Sequence, residues 1–438
     1  MNHTSRIKDY ILKQGEYDGI LEIPQEERIA FPMSKTCKVS IVIPVYNESS
    51  LVEKCLDSLK NQSVAPGNFE VIIVDNNSKD DTSKRVNSWL QKNNTKNIYL
   101  VSQKSPGVTA ARKRGFDEAV LRYTERAEDI EYFVLSADAD NEISSNWIET
   151  YLHDFLTKKV DLLCGESQFD TSKLSEYRNL LKFIEYKYSL ENLIKNIYVG
   201  RAEGNNFGIK LEAYAAVGGF KQVYSYGEQS IYPIPTDDWR FSVEVIAKGY
   251  TYARSTAKVI LNTRKFTNAL NEILEGKLYL EGWQEHATNQ INFQDLADEQ
   301  LIELKQTQLQ GILANQMLIN IVASPNVLHG TASLKFLGED LSKNIKATIA
   351  EATYYIGIDN FSMYRNYYLP AYFIYYSLGK DITSRLNLVY PNEKFTFILP
   401  KQLESIDSMH PGWKKNSFIV AHLFAPADVT CKYFGSMM

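Results

Sequence analysis

From Lys38 to about Arg264, short apolar runs alternate with stretches in which apolar residues recur at helical spacing. The runs Val39 to Val45, Val71 to Val74 and Tyr132 to Ala137 are typical of buried strands. Each is followed along the chain by a stretch with helical periodicity. This rhythm is typical of a mostly parallel sheet with crossover helices, so the sequence predicts an α/β, Rossmann-like fold.

Turn and capping residues predict where several helices begin and end. The spacing Ser50-x-x-Glu53 predicts a helix that starts at Ser50 with a capping box, and Pro106-Gly107 precedes another helix. That second helix carries Lys113 and Arg114 near its start, and we predict that both face solvent. Further strands are predicted at Ile98 to Val101, Asp161 to Cys164 and Lys258 to Leu261, with a last helix from Thr236 to Gly249.

The composition shifts after Lys265 towards Leu, Gln and Asn, with helical spacing from Leu309 to Ile321. We therefore predict a lead-in segment over 1–36, a catalytic domain over 37–265 and a mainly helical module over 266–438. The module is expected to build an acceptor site, to support self-association into a homo-oligomer or to dock on a membrane surface. Its many tyrosines can stack on a sugar or an apolar acceptor, and core packing explains them equally well.

The charge and cysteine patterns exclude several classes of protein. The chain has 48 Lys and Arg against 53 Asp and Glu, a net charge of -5, which argues against a nucleic-acid partner. The four cysteines are widely spaced and indicate neither a disulfide framework nor a zinc site. No apolar run reaches the roughly 18 residues of a membrane helix, and we expect no transmembrane segment and a cytoplasmic protein.

Two carboxylates, Asp138 and Asp140, follow the strand that ends at Ala137. Open α/β sheets bind ligands at the carboxyl ends of their strands. Side chains at i and i+2 point to the same side, and hard divalent cations prefer oxygen ligands together with substrate phosphates. The pair therefore indicates a Mn²⁺ or Mg²⁺ site, while an ordinary Asp-rich turn remains an alternative for the pair taken alone.

Motifs in order along the chain resemble the GT-A glycosyltransferases of family 2. They are the strand end Pro44-Val45-Tyr46-Asn47-Glu48, VIIVDNNSKDDT with Asp75, Pro106-Gly107 with Ala110-Ala111-Arg112, the Asp138/Asp140 pair, Gly204-Asn205-Asn206, Val217 to Phe220, and Thr236-Asp237-Asp238. The resemblance covers about residues 37 to 265. Each motif alone is weak evidence, but their order and spacing together are specific.

The resemblance implies a nucleotide-diphosphate donor linked to UDP, GDP or dTDP. It implies that Pro44, Tyr46 and Glu48 lie around the base and ribose, and that Asp75 hydrogen-bonds the base. Gly107 and Arg112 would approach the ribose or diphosphate, with packing, capping or a solvated helix face as alternatives. Asp138 and Asp140 would hold the metal, with Asp140 in direct contact and Asp138 available to the ribose or a metal-bound water. Asn206 would contact the acceptor or the sugar.

The same resemblance implies that Asp238 is the general base and Asp237 its neighbour, although a helix start also favours acidic residues for capping. It implies inversion in one displacement, without a covalent intermediate. A Q-x-x-R-W motif is absent, which favours a single transfer over processive synthesis. A sugar nucleotidyltransferase and an inactive nucleotide-sugar-binding module remain alternatives, and His286 remains open as a further metal ligand.

Overall fold

The structure is a computed structural model. It describes residues 3–13, 19–20, 22–126, 130–170, 172, 202, 204–221, 224–226, 231–233, 237–262, 337–356, 368–392, 395 and 397. The chain forms two compact units, with residues 1–170, 200–223 and 235–262 in the first and residues 171–199, 224–234 and 263–438 in the second. The helix predicted around Leu309 and the candidate ligand His286 lie outside the described residues. The predicted boundaries after residues 36 and 265 remain predictions.

In chain order the described strands are β1 (Val39–Val45), β2 (Phe69–Asp75), β3 (Ile98–Ser102), β4 (Phe133–Ala137), β5 (Glu142–Ile143), β6 (Leu162–Phe169), β7 (Asn206–Lys210), β8 (Tyr224–Tyr226), β9 (Ile231–Pro233) and β10 (Tyr252–Leu261). The first unit contains one sheet with the order β3-β2-β1-β4-β7-β6-β10-β5. Neighbours are parallel except at β4/β7, β7/β6 and β10/β5. The predicted α/β class with a mostly parallel sheet is therefore confirmed.

The described helices are α1 (His3–Leu12), α2 (Val52–Lys60), α3 (Thr82–Asn93), α4 (Val108–Thr124), α5 (Trp147–Lys158), α6 (Leu211–Ala216), α7 (Asp237–Ala247), α8 (Glu339–Ile356) and α9 (Tyr368–Val389). In the first unit, apolar side chains alternate between the two faces of the sheet. Ile41 and Ile43 share a core with α2, α3 and α5, whereas Val42 joins a second core with α1, α4, α6 and α7. This layered arrangement explains why the central strands are apolar throughout.

Two local features differ from what the sequence indicated. Helix α2 begins at Val52 rather than Ser50, and no side-chain hydrogen bond caps its start, so the predicted capping box does not form. The stretch Asn206–Lys210, where no strand was predicted, forms strand β7, paired between β4 and β6. Its glycine and asparagine are common in turns, but here the neighbouring strands supply every ladder partner.

Helix α4 is covered on both sides, which overturns the prediction that Lys113 and Arg114 face solvent. Lys113 is 0% exposed and pairs with Asp117, and Arg114 is 3% exposed and pairs with Glu118. One side of the helix packs on the sheet, where a Cβ at Gly115 would overlap Val42. The N-terminal segment covers the other side.

The N-terminal segment accepts hydrogen bonds from cations of α4 and its end through backbone oxygens. These bonds are Lys113 to Gly19, Arg114 to Glu27, Arg122 to Phe31, and Arg126 to Lys35 and Cys37. Arg122 also forms a buried ion pair with Glu70 on β2, at 2.7 Å. Because carbonyl oxygens and buried carboxylates satisfy these cations, the helix can be enclosed without stranding a charge.

In the second unit, β8 and β9 form an antiparallel hairpin, and α8 packs against α9. Within the ranges given above for the described residues, no helix combines the length and apolar character needed to cross a bilayer.

Candidate active site

The carboxyl ends of the central parallel strands lie at one edge of the sheet. Val45 and Asp75 are register partners at the ends of β1 and β2, and β4 ends at Ala137 next to β1. Strand β7 runs in the opposite direction, so its first residue, Asn206, pairs with Ala137. The segments predicted to bind the donor, the metal and the acceptor therefore meet at the same edge.

The loops after β1 and β2 are fastened to each other. Asn47 and Asn77 both have left-handed backbone conformations, with φ of 54° and 65°. The Asn47 N–H donates to Ser78 Oγ at 3.0 Å, and its side-chain oxygen accepts from the Lys79 N–H at 2.7 Å. The Glu48 N–H donates to Thr82 Oγ1 at 2.8 Å. These bonds give the two loops a fixed relative geometry.

The residues predicted around the base and ribose sit in or beside these loops. Pro44 is buried in β1, and Tyr46 directly after the strand is 55% exposed. Glu48 is partly exposed. Asp75 accepts hydrogen bonds from the Ser78 N–H at 3.3 Å and from Ser83 Oγ at 2.6 Å. An exposed aromatic ring next to an anchored carboxylate suits a nucleoside, because a base offers both a flat face and N–H donors.

Gly107 lies where the chain enters α4 and has φ 112°, a conformation that side chains rarely adopt. Its N–H donates to the side-chain oxygen of Asn76 at 2.8 Å. The amide nitrogen of Asn76 donates to the backbone oxygens of Gln103 and Ser105. Asn76 therefore shapes the loop that leads to α4, a role that we did not predict from the sequence.

A continuous set of contacts links Asp138 to Asp238. Arg112, on α4, is 4% exposed, and its Nη2 donates to Oδ1 of Asp138 at 3.0 Å. A Cβ on Gly204 would overlap the Arg112 guanidinium group, which therefore lies directly against the Gly204 backbone. The Gly204 N–H donates to Oδ2 of Asp238 at 2.7 Å. Asp237 and Asp238 form the start of α7, as predicted.

Asp138 and Asp140 are both partly exposed at the end of β4, and Cys55 packs beneath them. The Cys55 Sγ lies 3.9 Å from the backbone oxygen of Asp138. Burial raises the pKa of the Cys55 thiol well above its usual range, and the charges of Asp140 and Asp138 raise it further. Cys55 is therefore a buried residue that packs against the segment carrying both carboxylates.

The residues at this edge fit a metal that is shared with a substrate. In the part of the chain that the structure describes, no group of three or more His, Cys, Asp or Glu side chains could hold a metal ion without other ligands. Mg²⁺ is commonly bound by one or two carboxylates together with substrate phosphates. Asp140, with Asp138 beside it, supplies that kind of partial oxygen set.

Asn206 has a structural position, which contradicts the prediction that its side chain contacts the acceptor or the sugar. It is 1% exposed. Its amide nitrogen donates to the backbone oxygens of Glu166 and Ala257 at 2.8 and 2.9 Å, and its oxygen accepts from Trp147 Nε1 and the Tyr151 hydroxyl, both at 2.8 Å. These four bonds use the full capacity of the amide. The Asn206 side chain therefore bonds β7 to β6, β10 and α5.

Comparison with known families agrees with this arrangement of strand ends. Residues 40–218 match the model described as glycosyl transferase family 2. Residues 40–218 belong to this family. The match runs from β1 through α6, so it includes the Asp138 segment and the Gly204 segment of the family 2 domain. The resemblance inferred from the motifs is confirmed.

The family 2 domain is similar to several named glycosyltransferases. The dolichyl-phosphate beta-glucosyltransferase of Dictyostelium discoideum is 25% identical over 51% of this chain and 65% of its own length. Glycosyltransferase AglE of Haloferax volcanii is 28% identical over 30% of this chain and 40% of its own length. Glycosyltransferase GlyA of Streptococcus pneumoniae is 24% identical over 37% of this chain and 22% of its own length. The chain thus matches less than two thirds of each of these relatives.

The structure of the mannosyltransferase PcManGT from Pyrobaculum calidifontis, in complex with GDP-Man and Mn²⁺, aligns with a TM-score of 0.37. The sequence identity is 17%, over 85% of this chain and 93% of that chain.

In the family 2 domain, three residues of the motif after β2 have roles that were not predicted. Ser78 and Thr82 accept the backbone bonds described above. Asp80 accepts from Thr82 N and Oγ1, at 3.0 and 2.5 Å, and from the Ser49 N–H at 3.2 Å. Desolvation opposes ionisation of Asp80, but the hydrogen bonds from Thr82 and Ser49 hold the pKa of this carboxyl well below its usual range. The motif itself was the available signal, since Ser, Asp and Thr commonly bond to nearby backbone.

Replacing Asp80 with Ala is expected to weaken nucleotide binding by about 10-fold. The substitution removes the charge-assisted hydrogen bonds from Ser49 and Thr82, which hold the loops after β1 and β2 together. Asp81→Ala is a matched control, since the neighbouring carboxylate pairs with exposed Lys84 on the surface of α3. Isothermal titration with a nucleoside diphosphate measures the difference. Equal dissociation constants for the two variants would show that the loop bonds do not shape the site.

Proposed function

We propose that the protein is a glycosyltransferase that moves a sugar from a nucleotide-diphosphate donor to an acceptor hydroxyl or amine. The proposed reaction is a single, inverting and non-processive displacement assisted by Mn²⁺ or Mg²⁺. The observation that carries the proposal is the contact series Asp138, Arg112, Gly204 and Asp238 at the carboxyl edge of the sheet. It links the residues proposed for the donor diphosphate to the residue proposed for the acceptor.

The donor side of the proposal begins at the fastened loops after β1 and β2. We assign the exposed ring of Tyr46 to the face of the base and Asp75 to its polar edge. Pro44 and Glu48 frame the ribose, and Gly107 allows the substrate to approach the backbone closely. Because the Ser78 and Ser83 bonds already orient Asp75, little ordering entropy remains to be lost when the nucleotide binds.

Arg112 is assigned to stabilise the negative charge of the departing diphosphate, together with the metal that the carboxylates would hold. Asp138 fixes the Arg112 guanidinium, so the cation is oriented before the donor binds. Asp140 is assigned as the direct metal ligand, with Asp138 beside it. A bound divalent cation would supply Lewis-acid stabilisation of the diphosphate.

On the acceptor side, Asp238 is assigned as the general base that removes the acceptor proton. The Gly204 N–H holds one of its oxygens, and the start of α7 favours a negative charge at this position. Asp237 is assigned as its neighbour and not as the base. A pre-oriented carboxylate next to the donor pocket is the arrangement that a single displacement requires.

Donor hydrolysis tests the proposal with UDP-, GDP- and dTDP-sugars, each in Mn²⁺, in Mg²⁺ and in a chelator. We expect turnover with at least one donor that depends on the metal. We expect Asp140→Ala to lower that turnover by about 100-fold or more, because it removes a ligand that offsets transition-state charge.

Asp81→Ala is again the control, because this substitution removes an exposed carboxylate within the same domain. Full activity of Asp140→Ala in the chelator would contradict the metal role. Nucleotide binding without turnover of any donor would favour the inactive binding module, and pyrophosphate release from a nucleoside triphosphate and a sugar phosphate would favour the nucleotidyltransferase.

A further inference from the structure

The backbone around Gly204 is fastened to the first two turns of α7 at two points. The Ala202 N–H donates to Ser242 Oγ at 2.6 Å, and the Gly204 N–H donates to Asp238 Oδ2 at 2.7 Å. The Ser242 hydroxyl in turn donates to the backbone oxygen of Asp238 at 2.8 Å. Ala202 and Ser242 are both 0% exposed. The segment that precedes β7 and the start of α7 therefore hold each other in register.

The opposite side of Gly204 faces the donor-side cation. A Cβ at this position would overlap the terminal nitrogens and the central carbon of the Arg112 guanidinium. Arg112 is 4% exposed and bonded to Asp138, so it has little room to move aside. A residue larger than glycine would displace either the guanidinium or the segment that holds Asp238.

We propose that Gly204 and Ser242 are positioning residues that set the separation between Asp238 and the diphosphate-binding group formed by Arg112 and Asp138. This inference rests on the proposed function. Gly204 acts as a spacer without a side chain, and its N–H orients the carboxylate. Ser242 locks the segment to the helix that carries Asp238.

The two residues have separable effects, because they touch different sides of the site. Ser242 contacts only the base side in the bonds described, so its loss alters the position of Asp238 and leaves Arg112 in place. Gly204 contacts both sides, so an added methyl group displaces Arg112 as well. Misplacement of a reacting group by about 1 Å commonly costs about 100-fold in rate.

The experiment compares Gly204→Ala, Ser242→Ala and Thr157→Ala in the full chain. Thr157→Ala is a matched control, because Thr157 makes the same hydroxyl bond to a carbonyl four residues earlier, on the exposed face of α5. Each variant is checked for wild-type far-ultraviolet circular dichroism. The kcat and KM for the donor are then measured, together with the dissociation constant of the nucleoside diphosphate with Mn²⁺.

For Ser242→Ala we expect kcat to fall by about 10-fold with an unchanged dissociation constant. For Gly204→Ala we expect kcat to fall by about 100-fold and the dissociation constant to rise, while Thr157→Ala behaves as wild type. A folded Ser242→Ala with wild-type kcat, or one in which binding weakens as much as kcat falls, would overturn the inference even if Gly204→Ala failed to fold. A wild-type protein that turns over no donor would overturn the proposed function, and the inference with it.

Discussion

Asp238→Asn is expected to lower kcat by about 1000-fold while the affinity for the nucleoside diphosphate stays unchanged. General-base catalysis typically raises the rate by about 10²- to 10⁴-fold, and the amide of Asn cannot take up the proton that leaves the acceptor hydroxyl or amine. The substitution is nearly isosteric, and an amide oxygen can still accept the 2.7 Å bond from the Gly204 N–H. The local geometry is therefore retained while the base is lost. Steady-state kinetics together with titration calorimetry measure the two quantities separately.

Asp237→Asn is the matched control, because it changes the neighbouring acidic residue at the start of the same helix. We expect it to retain most of the wild-type kcat. If Asp237→Asn lost turnover and Asp238→Asn kept it, the two roles would have to be exchanged. If both variants kept full turnover, the proposed base chemistry would be wrong.

Lys113→Met is expected to destabilise the protein by about 3 to 5 kcal/mol, the usual cost of removing one partner from a buried ion pair. Lys113 and Asp117 are both 0% exposed, with the ammonium nitrogen 3.0 Å from the Asp117 carboxylate. The same ammonium donates to the Tyr10 hydroxyl at 2.6 Å and to the backbone oxygen of Gly19. Methionine fills a similar volume but leaves the buried Asp117 carboxylate without its ammonium partner. Urea denaturation followed by circular dichroism measures the change in free energy of unfolding.

Lys84→Met provides the control for an exposed pair on another helix of the same domain. Lys84 lies 2.8 Å from Asp81, and their side chains are 83% and 66% exposed. Exposed pairs of this kind contribute about 0 to 1 kcal/mol. Similar losses for the two variants would mean that burial does not govern the strength of the Lys113 pair.

The central sheet could be predicted from the sequence because parallel strands that are buried on both faces appear as continuous apolar runs. Strand β7 could not, since its Asn-Phe-Gly-Ile-Lys sequence lacks that pattern and owes its conformation to pairing with β4 and β6. The capping box at Ser50 failed for a similar reason. The Glu48 backbone oxygen accepts from the N–H groups of Leu51 and Val52, so the helix begins later.

The burial of Lys113 and Arg114 was missed because a helical sequence pattern predicts only one buried face and one solvent-exposed face. Nothing local to α4 indicates that a segment about 90 residues earlier supplies carbonyl acceptors, as the Glu27 oxygen does for Arg114. In the candidate site, the motifs pointed to Asp138, Arg112 and Asp238, whose assigned roles stay predictions. They did not reveal that Gly204 connects them, because that contact depends on three elements distant in sequence. The amide of Asn206 was misjudged for the same reason.

The double enclosure of α4 has a consequence for motion. A segment opens locally at low cost only when opening breaks few contacts. Helix α4, by contrast, contacts the sheet on one side and the N-terminal segment on the other. Opening of α4 would therefore have to break contacts on both sides of the helix. Arg112 is thus carried by a helix whose backbone amides we expect to exchange slowly with solvent. We therefore expect adjustments that accompany substrate entry to arise in the loops around this helix.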